Sequence, residues 1–162
     1  MAHELSTLTT GGKFFEGPRW HDGAWWVSDF YRHGVFTIAP DGTETQVLEV
    51  DTQPSGLGWL PDGRLLVVSM KDQRVLRQET DGTLVTHADL SGLITGMAND
   101  MVVDDNGRAW VGGFGFDLMG GETPVASPLI RVDPDGTLSV AAAELMFPNG
   151  SVITPDGSTL IV

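Results

Sequence analysis

Apolar residues in this chain come in short runs, and most of the runs are followed by an Asp-Gly or Asn-Gly pair. Runs of strand length, rich in β-branched and aromatic residues and bounded by turn dipeptides, predict strands joined by hairpins. One series of turn pairs falls at Asp22-Gly23, Asp62-Gly63, Asn106-Gly107 and Asp156-Gly157, in steps of 40, 44 and 50 residues. A second interleaves with it at Asp41-Gly42, Asp81-Gly82 and Asp135-Gly136. No segment carries the 3.6-residue periodicity of an amphipathic helix.

Two hairpins in each ~45 residues give four strands per repeat, which is the arithmetic of a β-propeller blade. The first repeat predicts strands from Glu16 to Trp20, Trp25 to Asp29, Gly34 to Ala39 and Thr43 to Val50. In the second they run from Ser55 to Leu60, Arg64 to Met70, Arg74 to Thr80 and Thr83 to Ala88. The third has Asp100 to Val103 and Ala109 to Phe114, an insertion over Gly115 to Ser127, then Leu129 to Asp133 and Leu138 to Ala142. A fourth begins with Ser151 to Thr154 and Thr159 to Val162. The expected architecture is an all-β propeller of four-stranded antiparallel blades, about three and a half of them in this chain. Residues 1–162 then form one partial propeller domain, with blades near 14–50, 51–90 and 95–143 and the start of a fourth at 147–162. Its open ends are expected to be covered by a second polypeptide or a second copy of the chain.

Composition narrows the function classes. Gly (21 residues) and Pro (9 residues) suit a turn-rich β protein and are costly in helices. The chain has no cysteine, which removes disulfides and thiolate–metal chemistry. Acidic residues number 22 against 9 basic, and a net charge of -13 argues against nucleic acid or an anionic membrane as partner. Its plainest role is solubility. The first residues lack a basic region followed by an apolar run, and no apolar stretch approaches the ~20 residues of a span, so a cytoplasmic location is expected.

Superposing the repeats on their turn pairs brings out candidate chemistry. Ser55, Asn99 and Asn149 each stand seven residues before a turn residue, and Glu16 stands six before Asp22. The first strand of a propeller blade lines the central channel, so these positions are expected to meet at one channel mouth. One carboxylate and two amides form an oxygen-only set, suited to Ca²⁺, Mg²⁺ or Mn²⁺. Each residue taken singly is equally at home in turn chemistry, Pro148-Asn149-Gly150 above all. His3, His21, His33 and His87 show no metal-ligand spacing and are expected at the surface. Serine chemistry lacks a Gly-x-Ser-x-Gly elbow, and the glycine-rich stretches lack the helix that follows nucleotide loops. The five tryptophans fall at strand positions and are expected to pack between blades.

Several motifs carry a resemblance. They are Phe15-Glu16-Gly17-Pro18-Arg19-Trp20, Asn99-Asp100, Trp110-Val111-Gly112-Gly113-Phe114-Gly115-Phe116-Asp117-Leu118, and Phe147-Pro148-Asn149-Gly150 with Thr154-Pro155-Asp156-Gly157. In order and spacing the chain resembles the senescence marker protein/gluconolactonase family, of the calcium-dependent phosphotriesterase superfamily, and specifically its N-terminal half. The resemblance implies a six-bladed propeller with a divalent metal in its channel, hydrolysing lactones or related esters. Ca²⁺ is the first expectation for that metal, with Mg²⁺, Mn²⁺, Zn²⁺ or Fe²⁺ as alternatives. By the same resemblance Glu16, Asn99 and Asn149 are metal ligands, and the fourth ligand, an Asp that serves as general base, would lie beyond Val162. Asp100 is expected to orient the ligands. Met97 stands where gluconolactonase-type members often carry an Arg for sugar hydroxyls, which points to a less polar substrate. Phe114, Phe116 and Asp117 are expected to shape the pocket from a lid. Two further readings accompany this one: a non-catalytic binding or scaffold propeller with a structural metal, and a phosphotriesterase-like hydrolase.

Overall fold

The computed structural model describes residues 4–162, and the regular structure among them is entirely β. One sheet is built from β1 (Phe15–His21), β2 (Ala24–Asp29), β3 (Gly34–Ile38) and β4 (Glu44–Glu49). A second holds β5 (Pro54–Trp59), β6 (Leu65–Ser69), β7 (Arg74–Gln78) and β8 (Leu84–Asp89). The third holds β9 (Ala98–Val103), β10 (Ala109–Gly113), β11 (Ser127–Val132) and β12 (Leu138–Leu145), and β13 (Val152–Ile153) pairs with β14 (Leu160–Ile161). Each four-stranded sheet is an antiparallel meander in sequence order, the form of a propeller blade.

The turn pairs make the hairpins by two mechanisms. Asp22 and Gly23 form a two-residue loop with φ of 48° and 80°, the left-handed pair that a type I′ turn requires. Four of the others, at Asp41, Asp62, Asp81 and Asp135, are built on one plan. At Ala39-Pro40-Asp41-Gly42-Thr43, Gly42 N–H donates to Ala39 O at 2.8 Å and Ala39 N–H to Thr43 O at 2.9 Å. Asp41 Oδ1 accepts from Thr43 N–H at 2.9 Å, and Gly42 takes the φ of 86° that closes the loop. The same bonds recur at Leu60–Arg64, Glu79–Thr83 and Asp133–Thr137.

Packing follows the alternation along the strands. Leu65 and Val67 of β6 join Val35 and Leu57 in a cluster between the first two sheets. Leu66 and Val68 turn the other way, to Met101, Val111 and Ile130 between the second and third. With both faces covered, β6 is buried along its whole length, whereas outer β12 is largely open. The first strands lie innermost: β1, β5 and β9 pack on one another. Trp26 and Trp59 pack between sheets as expected, but Trp20 and Trp25 do not. They pair edge to face on the first hairpin at 55% and 40% exposure, a correction that follows from their place at the hairpin tip.

Candidate functional site

Each inner strand carries an irregularity near its start. The pairing of β1 with β2 shifts between Glu16 and Arg19, and that of β5 with β6 between Pro54 and Leu57. The register of β9 against β10 shifts where Val111 and Gly113 face Met101 and Ala98. A bulge adds a residue, bends the strand and re-aims its side chains. Three equivalent bulges therefore present Glu16, Ser55 and Asn99 at one end of the inner strands.

Glycine permits the strands to meet there. A methyl group on Gly56 would collide with Met101 N and the Asp100 backbone, so β5 and β9 touch main chain to main chain. The Cβ position of Gly17 lies 3.1 Å from Ser55 O and 3.5 Å from Asp100 Oδ1, and that of Gly150 lies 4.0 Å from Asp100 Oδ2. Glu16-Gly17, Ser55-Gly56 and Asn149-Gly150 thus gather around the Asn99-Asp100 corner.

The polar bonding within the cluster is specific. Ser28 Oγ donates to Ser55 O at 2.5 Å, and Ser55 Oγ donates to Asn99 Oδ1 at 3.2 Å. Asn99 is fully buried, and its Nδ2 has no partner. Turning the amide over would let Nδ2 donate to Ser55 Oγ and bring Oδ1, an acceptor, to the unpartnered position. Glu16 Oε2 accepts from Gly17 N–H at 2.8 Å. Burial pushes the Glu16 carboxyl above the usual range; the Gly17 bond opposes this, the charge of Asp100 adds to it and Arg19 opposes it. Asp100, 4% exposed, accepts from Arg19 Nη2 at 2.8 Å and from Met101 N–H at 2.8 Å.

This donor set fits a hard divalent cation. It offers one carboxylate and amide oxygens, which Ca²⁺ or Mg²⁺ accepts, and the orphaned Asn99 end joins them once the amide is turned over to present Oδ1. Among the described residues no group of three His, Cys, Asp or Glu gathers as a metal site. The cavities that touch the inner strands lie elsewhere. Grooves of about 300 and 600 Å³ border Arg19, Val102, Val103 and Asp104, toward the other end of β9 from Asn99. Those grooves involve none of Glu16, Asn99 and Asn149.

The comparisons with known proteins bear on this arrangement. The profile of the SMP-30/Gluconolactonase/LRE-like region matches residues 14–162. The chain belongs to that family. Among solved structures it is similar to a gluconolactonase of Xanthomonas campestris, at 26% identity and a TM-score of 0.76, over 95% of this chain and 55% of that one. It is similar in fold to a calcium-binding regucalcin of Agrobacterium tumefaciens, at 24% identity and a TM-score of 0.73, over 93% and 50% of the respective chains. A luciferin-regenerating enzyme shares the fold at 19% identity and a TM-score of 0.76, over 92% and 52%. No curated protein sequence matches. The chain spans about half the length of the solved structures it matches. Like the six-bladed gluconolactonases, it is an all-β propeller of four-stranded antiparallel blades.

Within the family frame, the other predicted residues fall in different places. Asn149 is exposed, on the segment before β13, with its carbonyl bonded by Ser151 Oγ at 3.0 Å. Asp100 bonds Arg19 rather than Glu16 or Asn99, so any orienting influence on them is indirect. Met97 is half-buried against the core, and its carbonyl accepts from Phe114 N–H at 2.9 Å. Phe114 and Phe116 are 3% and 7% exposed, buried beneath Phe147, whose ring centroid lies 4.6 Å and 6.3 Å from theirs. Asp117 is exposed, and its Oδ1 accepts from Gly120 N–H at 2.8 Å, closing a turn of its own loop. Sequence reasoning passed over Arg19, although it stands inside the Glu16 motif. It also quoted Phe147 without assigning it a role. Among the histidines, His3 lies outside the described residues. His87 is a correction to the surface expectation: it is buried between the second and third sheets with Nδ1 3.1 Å from Arg77 Nη1.

Proposed function

We propose that this chain carries the cation-binding half of a metal-dependent hydrolase acting on a lactone or related ester. The observation that supports the reading is the convergence of the bulged strands of Glu16, Ser55 and Asn99, with Gly150 at the same corner, in a chain of the gluconolactonase family. Ca²⁺ is the favoured ion, given the oxygen-only donors and the calcium-binding regucalcin that shares the fold. The chemistry such an ion supplies is Lewis acidity toward a carbonyl oxygen and activation of water.

The chain's own residues have defined tasks in this reading. Glu16 contributes the negative charge, and Asn99 and Asn149 contribute amide oxygens. Ser55 fixes the Asn99 amide through the hydrogen bond at its buried side, which leaves the other end to face the ligand. Met97 and half-buried Phe147 give the neighbouring wall an apolar character, favouring a substrate less polar than a sugar lactone. The proton acceptor and the rest of the ring would come from further polypeptide or from a second copy of the chain.

The test is hydrolysis of a panel of lactones and aryl esters, with Ca²⁺ and after a chelator, by the completed propeller and its Asn99→Ala variant. Turnover that needs the ion and disappears in Asn99→Ala supports the proposal. Turnover indifferent to chelator and to Asn99→Ala contradicts it, and metal binding without any turnover favours a binding propeller.

A further inference from the structure

Arg19 stands three residues beyond Glu16 on β1, past the bulge, paired in register with Trp26 of β2. Its side chain nevertheless reaches the third sheet. Nη2 donates to Asp100 Oδ1 at 2.8 Å and to the Met101 carbonyl at 2.5 Å, and Nη1 donates to Pro18 O at 3.0 Å. The Asp100 side chain is 5% exposed and that of Arg19 23%, so the carboxylate is buried and the guanidinium partly open to water. Strand β5 packs on both β1 and β9, and Arg19 spans directly between those two. They are the strands that carry Glu16 and Asn99.

We propose that Arg19 is a positioning residue for the cation site, a strut that sets how far the Glu16 strand stands from the Asn99-Asp100 corner. The proposal rests on the hydrolase reading above. A guanidinium suits the task because its planar fork holds a carboxylate and a carbonyl in one fixed geometry, which a lysine ammonium does not reproduce. Shortening Arg19 also strands the buried Asp100 carboxylate without its partner.

Two effects of Arg19 on cation affinity have opposite signs, and this makes the proposal testable. As a bare positive charge beside the site, Arg19 repels a cation, so its removal tightens binding. As a strut it holds donors in place, so its removal loosens binding. The strut effect dominates, because groups that orient metal ligands typically contribute about 10- to 100-fold in affinity.

The experiment is calorimetric titration of the full chain with Ca²⁺, for the wild type, Arg19→Met and Arg19→Lys. A parallel urea-unfolding cycle without Ca²⁺ uses Arg19→Met, Asp100→Asn and the double variant. Expected is about 10-fold or more weaker Ca²⁺ binding in Arg19→Met. Arg19→Lys, which keeps the charge but loses the fork, recovers little of that loss. In the cycle the double variant unfolds no more easily than the worse single one. Binding as tight or tighter in Arg19→Met, or full rescue by Arg19→Lys, overturns the positioning role. A wild type that binds no Ca²⁺ overturns the hydrolase reading and the positioning role together, and a non-additive cycle then identifies the pair as structural alone.

Discussion

At the scale of single residues, polar groups are buried where they can be used or where a partner holds them. Asn99 has one amide end bonded to Ser55 and the other unpartnered in a fully buried place. An unsatisfied buried polar group is costly, and an ordered water or an ion can satisfy it. His87 is a structural counterpart: Nδ1 accepts from Arg77 and Nε2 is unpartnered, the pattern of a neutral ring. Burial, followed by the positive charge of Arg77, holds its pKa below the ordinary value; the neighbouring Asp133 backbone and the charge of Asp135 oppose this. A histidine with a depressed folded pKa stabilises fully above its unfolded pKa of about 6.5, and that contribution is lost as pH falls through the folded value. The urea midpoint should therefore drop as pH falls below about 6.5, and His87→Gln should flatten that dependence. An identical pH profile in His87→Gln would show that the burial has no energetic consequence.

Arg19, Phe147 and His87 mark the limit of what single residues reveal in a sequence. Glu16 and Asn99 stand out in the sequence because the repeats bring them to nearly matching positions, Glu16 one residue short of register. Arg19 acts across a skipped strand, and no local pattern predicts a contact over that separation. Phe114 and Phe116 open a glycine-rich insertion, and their rings pack into the core beside Phe147. Asp117 accepts a turn bond within its own loop.

At the scale of elements, the turns were the most legible feature. Asp-Gly pairs fix loop geometry locally, so all fourteen strands lie where the dipeptides place them, with ends displaced by a few residues. β9 and β11 begin earlier than expected and β12 runs on to Leu145, because pairing with a neighbour extends a strand beyond its apolar run. The bulges were not legible, since nothing but the pairing partner defines an extra residue. They depend on close backbone approach at Gly56, where even one methyl group meets main chain of β9. Gly56→Ala should destabilise the fold by about 1–3 kcal/mol in urea unfolding, the usual cost of overpacking. It should also displace the Asn99-Asp100 corner. A fully stable Gly56→Ala protein would mean that β5 and β9 are less closely packed than described. Leu66, fully buried between the second and third sheets, should lose about 2–5 kcal/mol on truncation to Ala.

At the scale of the whole molecule, the sheets fan around their inner strands and leave apolar residues open on the later ones. Val140, Met146 and Ile161 are more than half exposed, although scattered exposure alone is ordinary. The chain spans about half the length of the solved structures it matches, and completion of the ring by further polypeptide or by a second copy is part of the proposal. Native mass spectrometry of the purified chain should then show a dimer or a co-purifying polypeptide, and a persistent 17.4 kDa monomer would contradict completion in trans. Ring membership was legible because repeat period and motif order both survive in half the blades.

The most direct measurement of the central claim is a Ca²⁺ titration of the chain beside its Glu16→Gln, Asn99→Ala and Asn149→Ala variants. The account predicts a binding isotherm that each of the three substitutions weakens or abolishes. Binding that survives all three, or no binding by the unaltered chain, would contradict it.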